Sequence, residues 1–301
     1  MGRVLTLPGS LSQAQRGHLA MLGFSALVAG AFSLGHLASP FIAPEAMTVA
    51  RFLLSAVMVG TAAALTRGIP RYALAAPWRY LVLGGLMGAY FVLMFEGLKT
   101  AGAVSMSAVF TLTPVMAAGF GWTLMRQRLT GRMVLALGLG AAGALWVIFR
   151  ADLAALLALK MGYGERLFFF GCVAHALYTP LVRRLNRGET AAIFATGTMA
   201  GGFVVVGLWG WADVLATDWT ALPGIVWICL IYVAVAATGL SFVLLQFASL
   251  RLPSAKVMAY TYLVPSWVIL WELGLGKGPP PLAVLGGVVL TVLALGLLLK
   301  E

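Results

Sequence analysis

His175 is followed three and four residues on by Tyr178 and Thr179, and at helical spacing the three side chains share one face. Such a face can hydrogen-bond a polar solute, and its imidazole titrates near neutral pH. The same residues can equally form a buried packing network. His36 offers a similar pair of readings: a hydrogen-bonding or proton-sensing group, or a neutral ring capped by a backbone carbonyl. Glu96 and Lys99, spaced i, i+3, read as an ordinary ion pair. Arg51 reads as structural, its five donors tying loop carbonyls together. The run Gly138-Leu139-Gly140-Ala141-Ala142-Gly143 spells GxGxxG but has no strand before it, so it reads as a small-residue helix-packing stripe. Cys172 and Cys229 have no CxxC spacing and suggest neither a disulfide nor a zinc site. With no HExxH, GxSxG or Walker loop, no enzyme constellation is present, and neither a cofactor nor a metal is expected.

The elements that carry these residues are apolar throughout. Of 301 residues 61% are hydrophobic and 10% charged, with a mean hydropathy of +0.99. A soluble domain is about 45–50% apolar and 25% charged, and it must present a hydrated exterior. The composition therefore excludes a soluble enzyme, a disulfide scaffold or a disordered tail, and points to an all-α polytopic membrane protein. A helix crosses the hydrocarbon core in about 20 residues. Ten such stretches occur, near 18–38, 47–66, 78–98, 103–124, 131–149, 163–185, 191–210, 222–247, 255–275 and 281–299. They divide the chain into a polar tail (1–16), a first five-helix unit (17–149), an amphipathic connector (150–162) and a second five-helix unit (163–301).

The net charge of +11 fits membrane orientation better than nucleic-acid binding. If the N-terminus is cytoplasmic, fourteen of the 20 Lys and Arg fall on that side and six on the other, placing both termini inside. Sliding residues 86–115 onto 237–266 aligns Gly88 with Gly239 and Phe91-Val92-Leu93 with Phe242-Val243-Leu244. The same offset pairs Pro114 with Pro265. A mid-helix proline frees a carbonyl and bends the axis. Because five spans is an odd number, the second copy enters the membrane inverted, and inverted repeats with matched interruptions are a transporter pattern.

Tyr90, Tyr178, Tyr260 and Trp267 fall near mid-depth, away from the usual interfacial belts, where they can stack on a solute or simply pack between helices. Glu272, seven residues past Pro265, is the candidate coupling carboxylate.

In order along the chain, several pieces resemble the drug/metabolite transporter superfamily in its EamA-type branch. They are Gly35 to Pro40, Pro44-Glu45 with Arg51-Phe52-Leu53-Leu54, Leu98 to Thr113-Pro114, Leu250 to Pro265, and the Gly-rich fifth and tenth spans. Within that branch the aromatic-rich spans look most like YddG-type aromatic amino acid exporters. Gln127 and Gly278 stand where the family commonly carries a Gly-Glu pair, and the first span has no carboxylate.

The resemblance implies ten helices in two inverted five-helix repeats. It implies a carrier of the bacterial inner membrane that exports aromatic and other neutral amino acids by alternating access, as a monomer in the bilayer. The expected binding surface is Ser33, His36, Tyr90, Met94, His175, Tyr178, Tyr260 and Trp267. Pro114, Pro265, Gly88 and Gly239 are the expected hinges. A proton-coupled multidrug or metabolite exporter and a passive channel are the alternatives.

Overall fold

A computed structural model describes residues 11–157 and 161–299. The first ten residues of the expected tail, Lys160 in the connector and Lys300 lie outside that range. The described residues are helical with no strand. In chain order they form α1 (Gln13–Ala38), α2 (Pro44–Arg67), α3 (Trp78–Leu98), α4 (Ala103–Phe110), α5 (Thr113–Met125) and α6 (Gly131–Ile148). After the short α7 (Leu153–Leu157) come α8 (Tyr163–Leu185), α9 (Ala191–Trp209), the short α10 (Trp211–Ala216) and α11 (Gly224–Ala234). Then follow α12 (Ser241–Ser249), α13 (Ser254–Ala259), α14 (Val264–Gly274) and α15 (Leu282–Leu299).

Eight stretches are long and apolar enough to cross a membrane, counting α4 with α5 and α11 with α12 as one each. The other two expected spans are α8, which carries Glu165, Arg166, His175, Arg183 and Arg184, and 254–274, which is broken into three pieces. α8 packs against α3, α4, α5, α12 and α13, so its Glu165 and His175 are turned into protein, while Arg166, Arg183 and Arg184 are exposed near its two ends. The result is two runs of five spans.

Local signals place the ends. Ser12 and Gln15 form a reciprocal cap at the start of α1, with bonds of 3.1 and 2.8 Å. Thr130 and Thr190 accept from the third amide of α6 and α9. Pro44, Pro114 and Pro265 occupy first-turn positions, where a missing N–H costs nothing. Both expected hinge prolines therefore begin a new helix: α4 stops at Phe110, and α13 gives way to a 3₁₀ turn over Tyr260–Leu263. Span eight contains a further irregularity, a π-helical segment over Val235–Leu240 that has no counterpart in span three.

Each repeat packs mainly on the other. α3 lies on α8 and α9, α2 on α9 and on the π segment, α6 on α15, α5 on α13, and α1 on α11, α12 and α14. Small residues permit the closest approaches. A Cβ added at Gly84 on α3 would stand 2.6 Å from Thr198 O of α9. One at Gly143, in the GxGxxG-like run, would stand 2.6 Å from Gly287 O of α15. That run is a helix seam.

The repeats are also tied by charge. Arg79 is 1% exposed and donates to the Glu189 carboxylate at 2.8 Å, to Leu185 O at 2.6 Å and to Ala75 O at 3.0 Å. Burial acts to raise the Glu189 carboxyl. Hydrogen bonds from Arg79 and from the Arg187 amide, with the guanidinium charge, outweigh it and hold the group below the ordinary carboxylate range. The far end of the bundle carries a second pair, Lys99 to Glu96 at 2.6 Å, as its spacing suggested.

Two outcomes follow. Gly84→Ala should separate α3 from α9 and lower stability by about 1–3 kcal/mol, read as a fall in Tm of the purified protein in detergent. Because the folded-state pKa of Glu189 is depressed, its contribution is present above the unfolded value of about 4.3 and disappears as pH falls through the folded one. Glu189→Gln should lower Tm at pH 7, since it leaves Arg79 buried without a counter-charge. It should also flatten the loss of Tm seen in the wild type below about pH 4.

Candidate functional site

Four spans, two from each repeat, wall a chamber inside the bundle. α3 contributes Met87, Tyr90, Phe91 and Met94, a single helical face by their spacing. α1 adds Phe24, Val28 and Ala31, α8 adds His175, and the π segment with α12 adds Ala237, Ser241 and Phe242. The free volume is only about 10 Å³, enough for roughly one water. The walls meet because their aromatic rings interlock. His175 lies 4.6 Å from the Tyr90 ring and 5.2 Å from that of Phe110. Phe91 and Phe242 stack at 6.0 Å with an interplanar angle of 17°. These two phenylalanines are the residues that the internal repeat pairs with one another.

Of the residues named from sequence, Tyr90, Met94 and His175 come together here. His175 is 2% exposed, and its Nδ1 has no hydrogen-bond partner. Tyr178 lies beside the chamber but is engaged elsewhere: Gln246 Nε2 donates to its hydroxyl at 2.9 Å and to Thr198 Oγ1 at 3.3 Å. Tyr260 and Trp267 line the seam between α1 and span nine, the first bonded to His18 Nδ1 at 3.1 Å and the second donating to Ser25 Oγ at 3.2 Å. His36 sits near the end of α1 with Nδ1 2.8 Å from Leu98 O, the backbone-capped arrangement. Ser33 is buried on α1, and its hydroxyl has no partner.

Sequence reading missed Phe24, Met87, Phe91 and Phe242. The repeat alignment carried the signal for the last two, since it superposes them. Nothing in a single apolar sequence distinguishes a phenylalanine facing a chamber from one facing lipid.

The hinge residues occupy distinct settings. Pro114 and Pro265 are buried just after the two breaks, and the breaks touch each other through Thr113 Oγ1 and Thr261 Oγ1 at 3.2 Å. Gly88 packs on Val206 and Phe52, and Gly239 lies within the π segment against Met58 and Val59.

Arg51 finds partners other than the expected loop carbonyls. It is 0% exposed and does not gather loop carbonyls. Its Nε donates to Thr238 Oγ1 of the π segment at 2.9 Å, its guanidinium carbon stands 3.6 Å over the Phe91 ring, and Nη1 and Nη2 have no partner.

Among the described residues no carboxylate lines the chamber. Glu272 pairs with Lys277 at 2.7 Å, with one oxygen buried and unbonded. Glu165, unnoticed in the sequence, is 7% exposed at the start of α8 and accepts from Ser105 Oγ at 2.8 Å. Gln127 accepts from the Ser254 amide at 3.1 Å and so caps α13.

The profile of the EamA-like transporter family matches residues 15–149 and again 162–300, nearly all of the chain in two copies. The chain is 25% identical over 278 residues to a Bacillus subtilis (strain 168) protein named "Uncharacterized transporter YyaM", covering 90% of each. A solved structure titled "Crystal structure of protein" superposes with a TM-score of 0.71 at 21% identity, over 93% of this chain and 96% of that one.

Tyr178→Phe tests the polar network behind the chamber. It should lower stability by about 1–3 kcal/mol by depriving the buried Gln246 amide of its better acceptor. The readout is the Tm of the purified protein.

Proposed function

Because the chain belongs to the EamA-like transporter family, we propose that this multi-pass membrane transport protein exports neutral amino acids, aromatic ones first, by alternating access. The observation that carries the substrate reading is the chamber itself. Tyr90, Phe91, His175 and Phe242 present ring faces and edges, Met94 a polarisable thioether, and Ser241 a hydroxyl. Such a lining suits a flat apolar side chain with a small polar end. The chamber is too small for an amino acid in its present closure, so solute entry requires the walls to part.

The matched breaks supply a place to flex. α4 and α5 can tilt about 111–112 while α13 and α14 tilt about the 3₁₀ turn, the two motions coupled where Thr113 meets Thr261. Since the repeats are inverted, the same flexing at one break and then the other opens opposite ends. The end bearing Arg79, Arg183, Arg184 and Arg251 faces the cytoplasm of a bacterial cell, and both termini lie there. The carrier works as a monomer with no cofactor.

A proton-coupled exporter of the same superfamily is the alternative, and the observation in its favour is the buried Glu165 bonded to Ser105.

Flux of labelled Trp, Phe, Thr and Met into proteoliposomes, with and without an imposed proton gradient, decides between them. Saturable flux stimulated by solute on the opposite side, ranked Trp and Phe first and indifferent to the gradient, is the expected result. Gradient dependence abolished by Glu165→Gln would establish the alternative. Flux of no amino acid would overturn the substrate reading, and non-saturable flux would make the protein a channel.

A further inference from the structure

Arg51 is a fixed positive charge inside the membrane, and no carboxylate among the described residues is paired with it. Arginine does not deprotonate in proteins, and a buried charge is normally met by an opposite one. At the basic end Arg79 obeys that rule through Glu189. Arg51 is equally buried, yet Nη1 and Nη2 have no partner, and its one polar bond is to the neutral Thr238 hydroxyl. The Thr48 hydroxyl, three residues earlier on the same helical face, is also buried and unpartnered. Seven residues from the start of α2, Arg51 lies about 10 Å below that helix end, in the outer half of the bundle.

Its position relative to the chamber is specific. The guanidinium rests 3.6 Å over Phe91, which lines the chamber, and Thr238 sits among the lining residues Ala237 and Ser241. One layer of wall therefore separates the unpaired nitrogens from the solute space, and that layer includes a phenylalanine ring. Thr238 lies in the π segment, the irregularity found in only one repeat. Such segments widen a helix by one residue and often mark functional sites. The lining itself, and the ion pairs Glu96–Lys99 and Glu272–Lys277, leave no carboxylate committed to Arg51 among the described residues.

We propose that Arg51 is the anion anchor of this carrier. When the walls part, the Phe91 ring swings off the guanidinium, and the carboxylate of the solute takes both free nitrogens in a bidentate pair while its apolar body lies among Tyr90, Met94, His175 and Phe242. The pairing geometry suits a planar carboxylate. The chamber lining offers no carboxylate for an ammonium group. The substrate class is thus aromatic carboxylates, for which the α-amino group is optional: 3-phenylpropanoate should serve as well as phenylalanine, and 2-phenylethylamine should not. This rests on the carrier reading above and adds to it the group that selects the solute.

The test compares L-phenylalanine, 3-phenylpropanoate and 2-phenylethylamine in wild type, Arg51→Lys and Arg51→Gln. Each is measured by proteoliposome flux above empty-liposome leak and by ligand-induced rise in Tm. Wild type should transport and be stabilised by the two carboxylates and not by the amine. Arg51→Gln should weaken both carboxylates by at least about 30-fold, the effect expected for truncating one partner of a buried charge pair, with Arg51→Lys in between.

Stability separates this from a structural role. Removing an unpaired buried charge should leave the Tm of ligand-free Arg51→Gln unchanged or raised, whereas a structural arginine would lower it. Carboxylate handling unchanged in Arg51→Gln, or the amine accepted by wild type as readily as the acids, overturns the anchor while the carrier reading stands. Absence of flux with a carboxylate-dependent Tm rise that Arg51→Gln abolishes keeps the anchor and removes the carrier reading. Absence of both flux and Tm rise overturns both.

Discussion

Hydrocarbon offers nothing to a backbone N–H or C=O, so each departure from regular helix inside the bilayer needs a partner supplied by the protein. That constraint organises the bundle. At the break between α4 and α5, Thr111 donates to Ala108 O at 2.6 Å and Thr113 to Phe110 O at 2.7 Å. At the 3₁₀ turn, Thr291 of α15 reaches Tyr262 O at 3.1 Å. At the π segment, the Ser55 hydroxyl on α2 stands 2.7 Å from Ala234 O and 2.6 Å from Arg51 O. Hydroxyls at the break itself, Thr111 and Thr113, and on intact neighbouring helices, Thr291 and Ser55, thus hold the irregular segments in place. A hydroxyl can also let go at modest cost, which a bundle that must rearrange requires.

The same constraint explains why each repeat packs on the other. A five-span unit with a broken member exposes a polar seam that lipid cannot cover. Placing the break of span four against that of span nine, joined by Thr113 and Thr261, turns two liabilities toward each other. Glycines set how near the flanking helices come, as Gly84 shows against α9. The chamber is what remains between α1, α3, α8 and α12 once those seams are closed, and aromatic rings fill it.

Buried charge meets an opposite charge at one place and a neutral hydroxyl at others, as at Glu165 against Ser105. Arg79 and Glu189 neutralise each other in a buried knot that joins the start of α3 to the α8–α9 loop. Arg51 has only a neutral hydroxyl and an aromatic face. A cation over a ring gains some attraction, about 2 kcal/mol when desolvated, which eases its burial without replacing an anion. Among the described residues the π segment that holds Arg51 occurs in one repeat only, so the two halves, alike in their outlines, differ at the element beside the chamber.

Composition and periodicity alone determined that this is a membrane bundle of ten spans in two copies, because hydropathy, helix length and the bias of basic residues each report on the bilayer directly. The paired prolines were legible too, as a proline lacks the N–H that a helix interior uses. Pro180, however, lies inside the continuous α8, so only the tertiary structure decided which prolines sit at breaks. Tertiary structure alone decided which polar and aromatic side chains share a space. Tyr90, Met94 and His175 meet; Tyr260 and Trp267 go to a seam, and His36 caps a neighbouring helix. Glu165 and Phe24 carried no local mark, and Arg51 carried one pointing to loop carbonyls it does not touch. In an apolar chain nearly every helix face is hydrophobic, so the pattern that separates inside from outside in a soluble protein is missing. Which face turns inward is then fixed by shape, by glycines, breaks and ring packing between segments far apart in sequence.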